Sequence, residues 1–116
     1  MTGGGDFVAR GEYANNAAWG GGLHTYGGLV INAGAGRVIL EGRATGTQGR
    51  GIEMLHNANG SQVITSSYGT ANTDVAILLR GSTNNTGDTG ILAAYWSNTP
   101  VNQVIQTVGK GGIRFE

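Results

Sequence analysis

The chain has 116 residues, enough for one domain with a modest core, and its seven basic and seven acidic residues cancel. This balance argues against nucleic acid or an anionic membrane as the main partner, and the absence of cysteine excludes disulfides and thiolate metal sites. Glycine is frequent, at 23 residues, but a single proline and the lack of a Gly-X-Y register exclude collagen. No apolar run reaches the roughly 18 residues of a membrane span, so membrane insertion is not expected.

Short apolar blocks flanked by Gly, Asn, Thr and Ser follow one another along the chain. In order they read FVARG, GLHTY, LVINA, RVILEG, GIEML, QVITS, AILLRG, GILAAYW, QVIQT and GIRFE. They are too short for helices and rich in Val and Ile, so they predict β-strands. The blocks are of three kinds, A, B and C, which recur in the order A-B-C three times before a last A block. Gly42 to Gly81 and Gly51 to Gly90 are both separated by 39 residues, which supports a true repeat.

This repeat predicts an all-β protein, a parallel β-helix or solenoid of about three coils with three parallel sheets. A single segment, 1–116, is expected to contain coils at about 6–35, 36–74 and 75–108 and a partial fourth coil at 109–116. Glycine and asparagine, including Gly81 after the third A block, are expected to turn the corners with positive φ. Because the chain begins and ends close to A strands, we expect a piece of a longer β-helix, or ends that another chain covers.

Side chains alternate across a strand, so the blocks also predict which residues face the interior. The expected interior set is apolar except for one threonine: Phe7, Val38, Ile77, Ile113, Ala9, Leu40, Leu79 and Phe115 from A, Leu23, Ile52, Ile91, Thr25, Met54 and Ala93 from B, and Ile31, Ile64 and Ile105 from C. The outward set contains Val8, Ile39, Leu78, His24, Glu53, Leu92, Val30, Val63 and Val104. The outward parity of the A blocks also places Arg10, Glu41, Arg80 and Glu116 on successive coils, which predicts a structural charge ladder of alternating sign.

The blocks RVILEGRATGTQGRGIEML and VAILLRGSTNNTGDTGILAAY resemble the β-helical repeats of filamentous haemagglutinin-like exoproteins. These large bacterial surface proteins, secreted by the two-partner route, include adhesins and contact-dependent toxins. The resemblance covers residues 6–116 and rests on a degenerate pattern that phage tailspikes also show. It implies a right-handed β-helix, an extended shaft and no catalysis in the repeats.

The leading functional hypothesis is a non-catalytic structural shaft of a secreted bacterial adhesin, located extracellularly or at the cell surface. Its ends would join the remainder of a longer β-helix or other copies of the chain. The alternative is a segment of a trimeric phage tailspike or tail fibre, carried on a virion, that binds host-surface carbohydrate. A third hypothesis is a free-standing glycan-binding module. Candidate carbohydrate contacts are the aromatic residues that end B blocks, for which packing at the sheet edge is the other interpretation: Tyr26, Tyr95 and Trp96.

No catalytic residue, metal ligand or cofactor is predicted. His24 and His56 occupy different positions in their blocks, which argues against a shared metal site. Asp74 and Asp88 lie in loops beside asparagines, where calcium binding is an alternative to local capping. The glycine-rich stretches GAGRV and GKGGI are not followed by a helix that would hold a phosphate.

Overall fold

The computed structural model describes residues 4–14, 20–56, 60–95 and 103–116, with the backbone alone at 56, 94 and 95. These residues form ten β-strands and no helix. The strands are β1 (Phe7–Tyr13), β2 (Gly21–Tyr26), β3 (Leu29–Asn32), β4 (Val38–Ala44), β5 (Arg50–His56), β6 (Gln62–Ser66), β7 (Val75–Thr83), β8 (Ile91–Tyr95), β9 (Gln103–Thr107) and β10 (Gly112–Phe115). In this part of the chain, no helix offers the length and hydropathy of a membrane crossing.

Strands of one kind pair with one another, as the repeat predicts. The strand order is β1-β4-β7-β10 in sheet A, β2-β5-β8 in sheet B and β3-β6-β9 in sheet C, and every pairing is parallel. The chain therefore visits the three sheets in turn and returns to each one strand further along. The predicted all-β parallel solenoid with three parallel sheets is confirmed.

The pairing register is the one predicted from the alternation of side chains. In sheet A, Val38 lies between Phe7 and Ile77. In sheet C, Ile64 lies between Ile31 and Ile105. Like residues therefore form columns that run from coil to coil, with strands spaced about 4.8 Å apart.

The aliphatic columns form the core between the sheets. Val38, Ile77 and Leu79 have no exposed surface, and Ile52 and Ile64 are each 1% exposed. Burying one such side chain stabilises the fold by about 1.5–3 kcal/mol. The central coils hold most of this core because each is covered by a coil on either side.

Three predicted interior residues in the outermost strands are exposed instead. Ile113 and Phe115 of β10 are 37% and 58% exposed, and Ala93 of β8 is exposed too. β10 and β8 are the last strands of sheets A and B, so only one neighbouring coil of this chain covers their side chains. Their parity is as predicted, but their expected burial was wrong.

The prediction that Gly81 turns a corner was also wrong. Gly81 and its equivalents lie inside strands, where they face the interior and meet a matching column of glycines in sheet B. A Cβ on Gly42 would lie 1.9 Å from the carbonyl oxygen of Gly51. Sheets A and B thus approach backbone to backbone along two glycine columns: Gly11, Gly42 and Gly81 in A, and Gly22, Gly51 and Gly90, the last just before β8, on the side of B.

Other glycines, and no asparagine, supply the positive φ angles of the described chain. Those glycines all lie between strands: Gly20, Gly27, Gly34, Gly49 and Gly69. No described residue other than glycine has a positive φ, so the expected role of asparagine at the corners was wrong for this part of the chain. The left-handed region is far less costly for glycine, which has no Cβ.

Candidate functional site

The four residues of the charge ladder stand in one column on the outer face of sheet A. The backbone register pairs Arg10 with Glu41 and Glu41 with Arg80. Arg10 forms an ion pair with Glu41 Oε2, and Arg80 Nη1 lies 2.9 Å from Glu41 Oε1. Arg80 Nε also donates to Oε2 of Glu116, the residue that follows β10, at 2.7 Å. Each carboxylate thus lies beside an arginine of a neighbouring coil, and the hydrogen bond from Arg80 to Glu116 raises the pKa of Arg80.

A shallow concavity of about 460 Å³ borders this ladder. It is lined by Arg10, Gly11, Glu12, Glu41, Gly42, Arg43, Arg80 and Ser82. Arg10, Glu41 and Arg80 already pair with one another within it. The charged side chains of this face therefore form ion pairs between coils. They do not point together at one position where a ligand could bind.

A second inter-coil ion pair joins the residues that immediately precede β1 and β4 of sheet A. The Asp6 carboxylate accepts hydrogen bonds from the Arg37 backbone N–H at 2.8 Å and from Arg37 Nε at 3.0 Å. These bonds from the Arg37 side chain and backbone hold the pKa of Asp6 below its ordinary value of 3.8. The Arg37 guanidinium also lies over the Tyr68 ring, 5.6 Å from its centroid, in a cation–π contact. These contacts link Asp6, just before β1, to Arg37, just before β4, and Arg37 to Tyr68, which follows β6.

The candidate carbohydrate contacts do not stand in one column. Tyr26 is 61% exposed and pairs in register with Leu55, whereas Tyr95 pairs with His56. Since Leu55 pairs with Ala94, the two tyrosines stand one register position apart. Trp96 lies outside the described residues. A glycan contact by these aromatics stays a prediction, and Tyr26 is the one whose side chain is described.

The two loop aspartates considered for calcium are separately engaged. Asp74 Oδ2 accepts hydrogen bonds from the backbone N–H groups of Thr70 and Ala71, at 2.9 and 3.1 Å, which is local capping of a turn. Asp88 Oδ1 lies 2.9 Å from Arg50 Nε and accepts a bond from the Thr89 N–H. Among the described residues, no group of three or more His, Asp or Glu side chains is placed to hold a metal ion.

Glu53 was expected to face solvent, but its side chain is only 1% exposed. Its outward direction follows the parity of β5, yet the Arg50 side chain covers it and Arg50 Nη1 donates to Glu53 Oε1 at 2.6 Å. His24 Nδ1, on the preceding coil, lies 3.4 Å from Glu53 Oε2. The alternation of side chains predicts which side of a sheet a residue faces, but not which other side chains cover it. The burial of the Glu53 carboxylate was therefore missed.

A glutamine column inside the solenoid, with one buried member, was also missed. Gln62 is 1% exposed, and its Nε2 lies 2.9 Å from the Leu55 carbonyl oxygen and 3.1 Å from that of Gly27. Gln103, its register partner on the next coil, donates to Gln62 Oε1 at 2.8 Å. Gln62 and Gln103 have the same parity as Ile64 and Ile105, and that was the signal in the sequence. The amides bond to backbone carbonyls where the chain passes from sheet B to sheet C.

Comparison with known proteins gives no relative. No protein-family model matches the chain, and no significant match is found among curated proteins or solved structures.

Proposed function

We propose that this chain is a structural shaft segment of a secreted bacterial surface protein that acts in adhesion. The observation that carries the proposal is that polar side chains on several strands are engaged with neighbouring coils. Asp6 pairs with Arg37, Gln62 pairs with Gln103, and the ladder joins coil to coil through Glu41 and Arg80. Such side chains strengthen a rod along its axis. The extracellular or cell-surface location is part of this proposal.

The proposal includes a partner at the outer edge of sheet A. Ile113 and Phe115 of β10 have interior parity but are exposed, and none of the described strands lies beside the outer edge of β10. A further coil, from a longer β-helix or from another copy, would bury both side chains and pair with that edge. Phe115→Asp should then weaken any self-association that the chain shows at high concentration.

A trimeric segment of a phage tailspike or tail fibre is the second candidate. The outward apolar columns favour it, since Val30 is 61% exposed and Val8 is 44% exposed. Three chains packed side by side would cover such columns and leave another face free for host-surface carbohydrate.

Sedimentation velocity over a wide concentration range separates the two candidates. The shaft proposal predicts a monomer at low concentration, with any association growing gradually as the concentration rises. A trimer that persists on dilution would overturn the shaft and support the tailspike segment. A glycan array tests the third hypothesis, a free-standing glycan-binding module. Binding that Tyr26→Ala or Trp96→Ala abolishes would favour that module, and a silent array would remove it.

A further inference from the structure

One carboxylate oxygen on the outer side of sheet B is buried without a hydrogen bond. Glu53 Oε1 accepts a bond from Arg50 Nη1 at 2.6 Å, but Glu53 Oε2 has no hydrogen-bond partner. The titratable donor next to it is His24 Nδ1, at 3.4 Å. A shift of about half an ångström would bring this pair to the 2.7–2.9 Å typical of a charge-assisted hydrogen bond. An unsatisfied buried carboxylate oxygen is costly, so a donor at this position has a large effect.

The charges around Glu53 do not balance when His24 is neutral. Arg50 is shared between two carboxylates, because its Nε also lies 2.9 Å from Asp88 Oδ1 without the alignment of a hydrogen bond. The side chains of Arg50, Asp88 and Glu53 are 20%, 13% and 1% exposed, so solvent compensates this cluster poorly. Two carboxylates against one guanidinium leave one excess negative charge. A neutral imidazole can donate from Nδ1, but only a protonated ring also supplies the missing positive charge.

Among the described side chains, the ion-pair partner of His24 is Glu53. Strand β2 packs against β1, β4 and β5. Arg10 and Glu41 pair with each other. The titratable and charged residues on the three packed strands are Arg10, Glu12 and Tyr13 on β1, Glu41 and Arg43 on β4, and Arg50, Glu53 and His56 on β5.

We propose that His24, Glu53 and Arg50 form a proton-operated clasp between coils. Protonation of His24 ensures that Nδ1 carries a proton for Glu53 Oε2, and it cancels the excess charge. The clasp joins two coils, because His24 lies on β2 and Glu53 and Arg50 lie on β5, and the Arg50–Asp88 contact connects it to the loop before β8 on the third coil. The unfolded chain lacks this contact, so we expect the stability of the folded chain to rise as the medium becomes mildly acidic. This property is independent of whether the segment serves as a shaft.

Thermal unfolding at about pH 8 and about pH 5.5, the range over which imidazoles titrate, tests the clasp. A chelator in both buffers removes metal ions as an alternative cause. The wild-type melting temperature is expected to rise by a few degrees at the lower pH, and His24→Gln should lose most of this rise. His56→Gln, the matched control in the same protein, should keep it. His24→Lys, which carries a permanent positive charge, should show little dependence on pH over this range.

Two results would overturn the clasp. One is a His24→Gln variant that keeps the full wild-type rise in melting temperature between the two pH values. The other is a His56→Gln variant that loses it, since the second histidine would then be the titrating group. Loss of the rise in His24→Gln alone supports the proposal.

Discussion

Gly42 faces the interior of the solenoid between Leu40 and Ala44, and the Gly51 carbonyl oxygen occupies the space that its side chain would need. The two nearest atoms belong to the backbone of β5 in sheet B, so they cannot move aside as a flexible side chain could. The residue is thus fixed by close approach of two sheets and not by an unusual backbone angle.

Gly42→Ala is expected to lower the free energy of unfolding by about 3 kcal/mol, near the upper end for overpacking, because its Cβ meets backbone. Gly28→Ala is the matched control, since its Cβ would have only ordinary contacts, the nearest at 3.6 Å from Gly60 Cα. The control should be as stable as wild type or slightly more stable. Urea denaturation measures both variants. Equal losses in the two variants would contradict the backbone-to-backbone packing of sheets A and B.

Gln62 donates hydrogen bonds to backbone carbonyl oxygens inside the solenoid. Gln62→Ala leaves the Leu55 and Gly27 carbonyl oxygens and the Gln103 amide without this partner, which should cost about 1–3 kcal/mol. Gln106→Ala, an exposed change in the next strand of the same sheet, should cost less than about 0.5 kcal/mol. Denaturant unfolding of the two variants compares these costs. A Gln106 variant that is as damaged as the Gln62 variant would show that the inward amide has no special role.

Asp6 gives the fold an acid-sensitive contact. Its pKa is held below 3.8 by the hydrogen bonds from Arg37, so the stabilisation is present above that pH and is lost as pH falls through the lowered value. Asp6→Asn should therefore be less stable than wild type near neutral pH and converge with it in strong acid. Denaturant midpoints at several pH values measure this. In an Arg37→Met background, Asp6→Asn should have little further effect; a difference that stays constant with pH would refute the assignment.

At the scale of strands, the register could be predicted from the sequence because several independent patterns agree on it. Slipping an A strand by one residue would put Arg10, Glu41 or Arg80 into the core, which strongly disfavours the alternatives. The column of Ile31, Ile64 and Ile105 fixes sheet C in the same way. The ends of the A strands were harder to predict, because a glycine inside a strand has the same sequence signature as a glycine in a turn.

The buried environment of Glu53 could not be predicted from alternation. Its cover comes from Arg50 on its own strand and from His24 one coil away, and the loop residue Asp88 adds a second carboxylate. These contacts depend on how long side chains and a loop fold over the sheet, which no strand pattern encodes. The exposure of Phe115 was missed for a related reason, because parity does not say how many coils cover a position.

Reversing one charge of the ladder tests its contribution to pairing in sheet A. Arg80→Glu should lower the denaturant midpoint, because the new carboxylate faces Glu41 and Glu116. Lys110→Glu makes the same change of charge at an exposed loop position and should have a smaller effect. Reversal of all four ladder charges, with Arg10→Glu, Glu41→Arg, Arg80→Glu and Glu116→Arg, should restore the midpoint. An Arg80→Glu variant as stable as wild type would remove the ladder as a source of stability.

For the whole molecule, the parallel register makes each coil a template for the next. Because a coil contacts only its neighbours, stability adds up along the axis and the outer faces stay free to vary. On the outer face of sheet C this leaves a column of three valines, Val30, Val63 and Val104, beside Asn32, Thr65 and Gln106. The same columns underlie both functional proposals, as the wall of a shaft or as the contact surface of a trimer.

Paired cysteines on that outer face test the stacked register most directly, since the chain has no cysteine of its own. Val30→Cys with Val63→Cys places two thiols on register partners, about 4.8 Å apart at Cα, within the range of a disulfide. Asn32→Cys with Val63→Cys is the diagonal control, at about 8 Å, which is too far to bridge without backbone movement. Under mild oxidation of the folded monomer, mass spectrometry should find the intrachain disulfide in the first pair and free thiols in the second. Efficient cross-linking of the diagonal pair, with little in the Val30–Val63 pair, would contradict the in-register parallel solenoid.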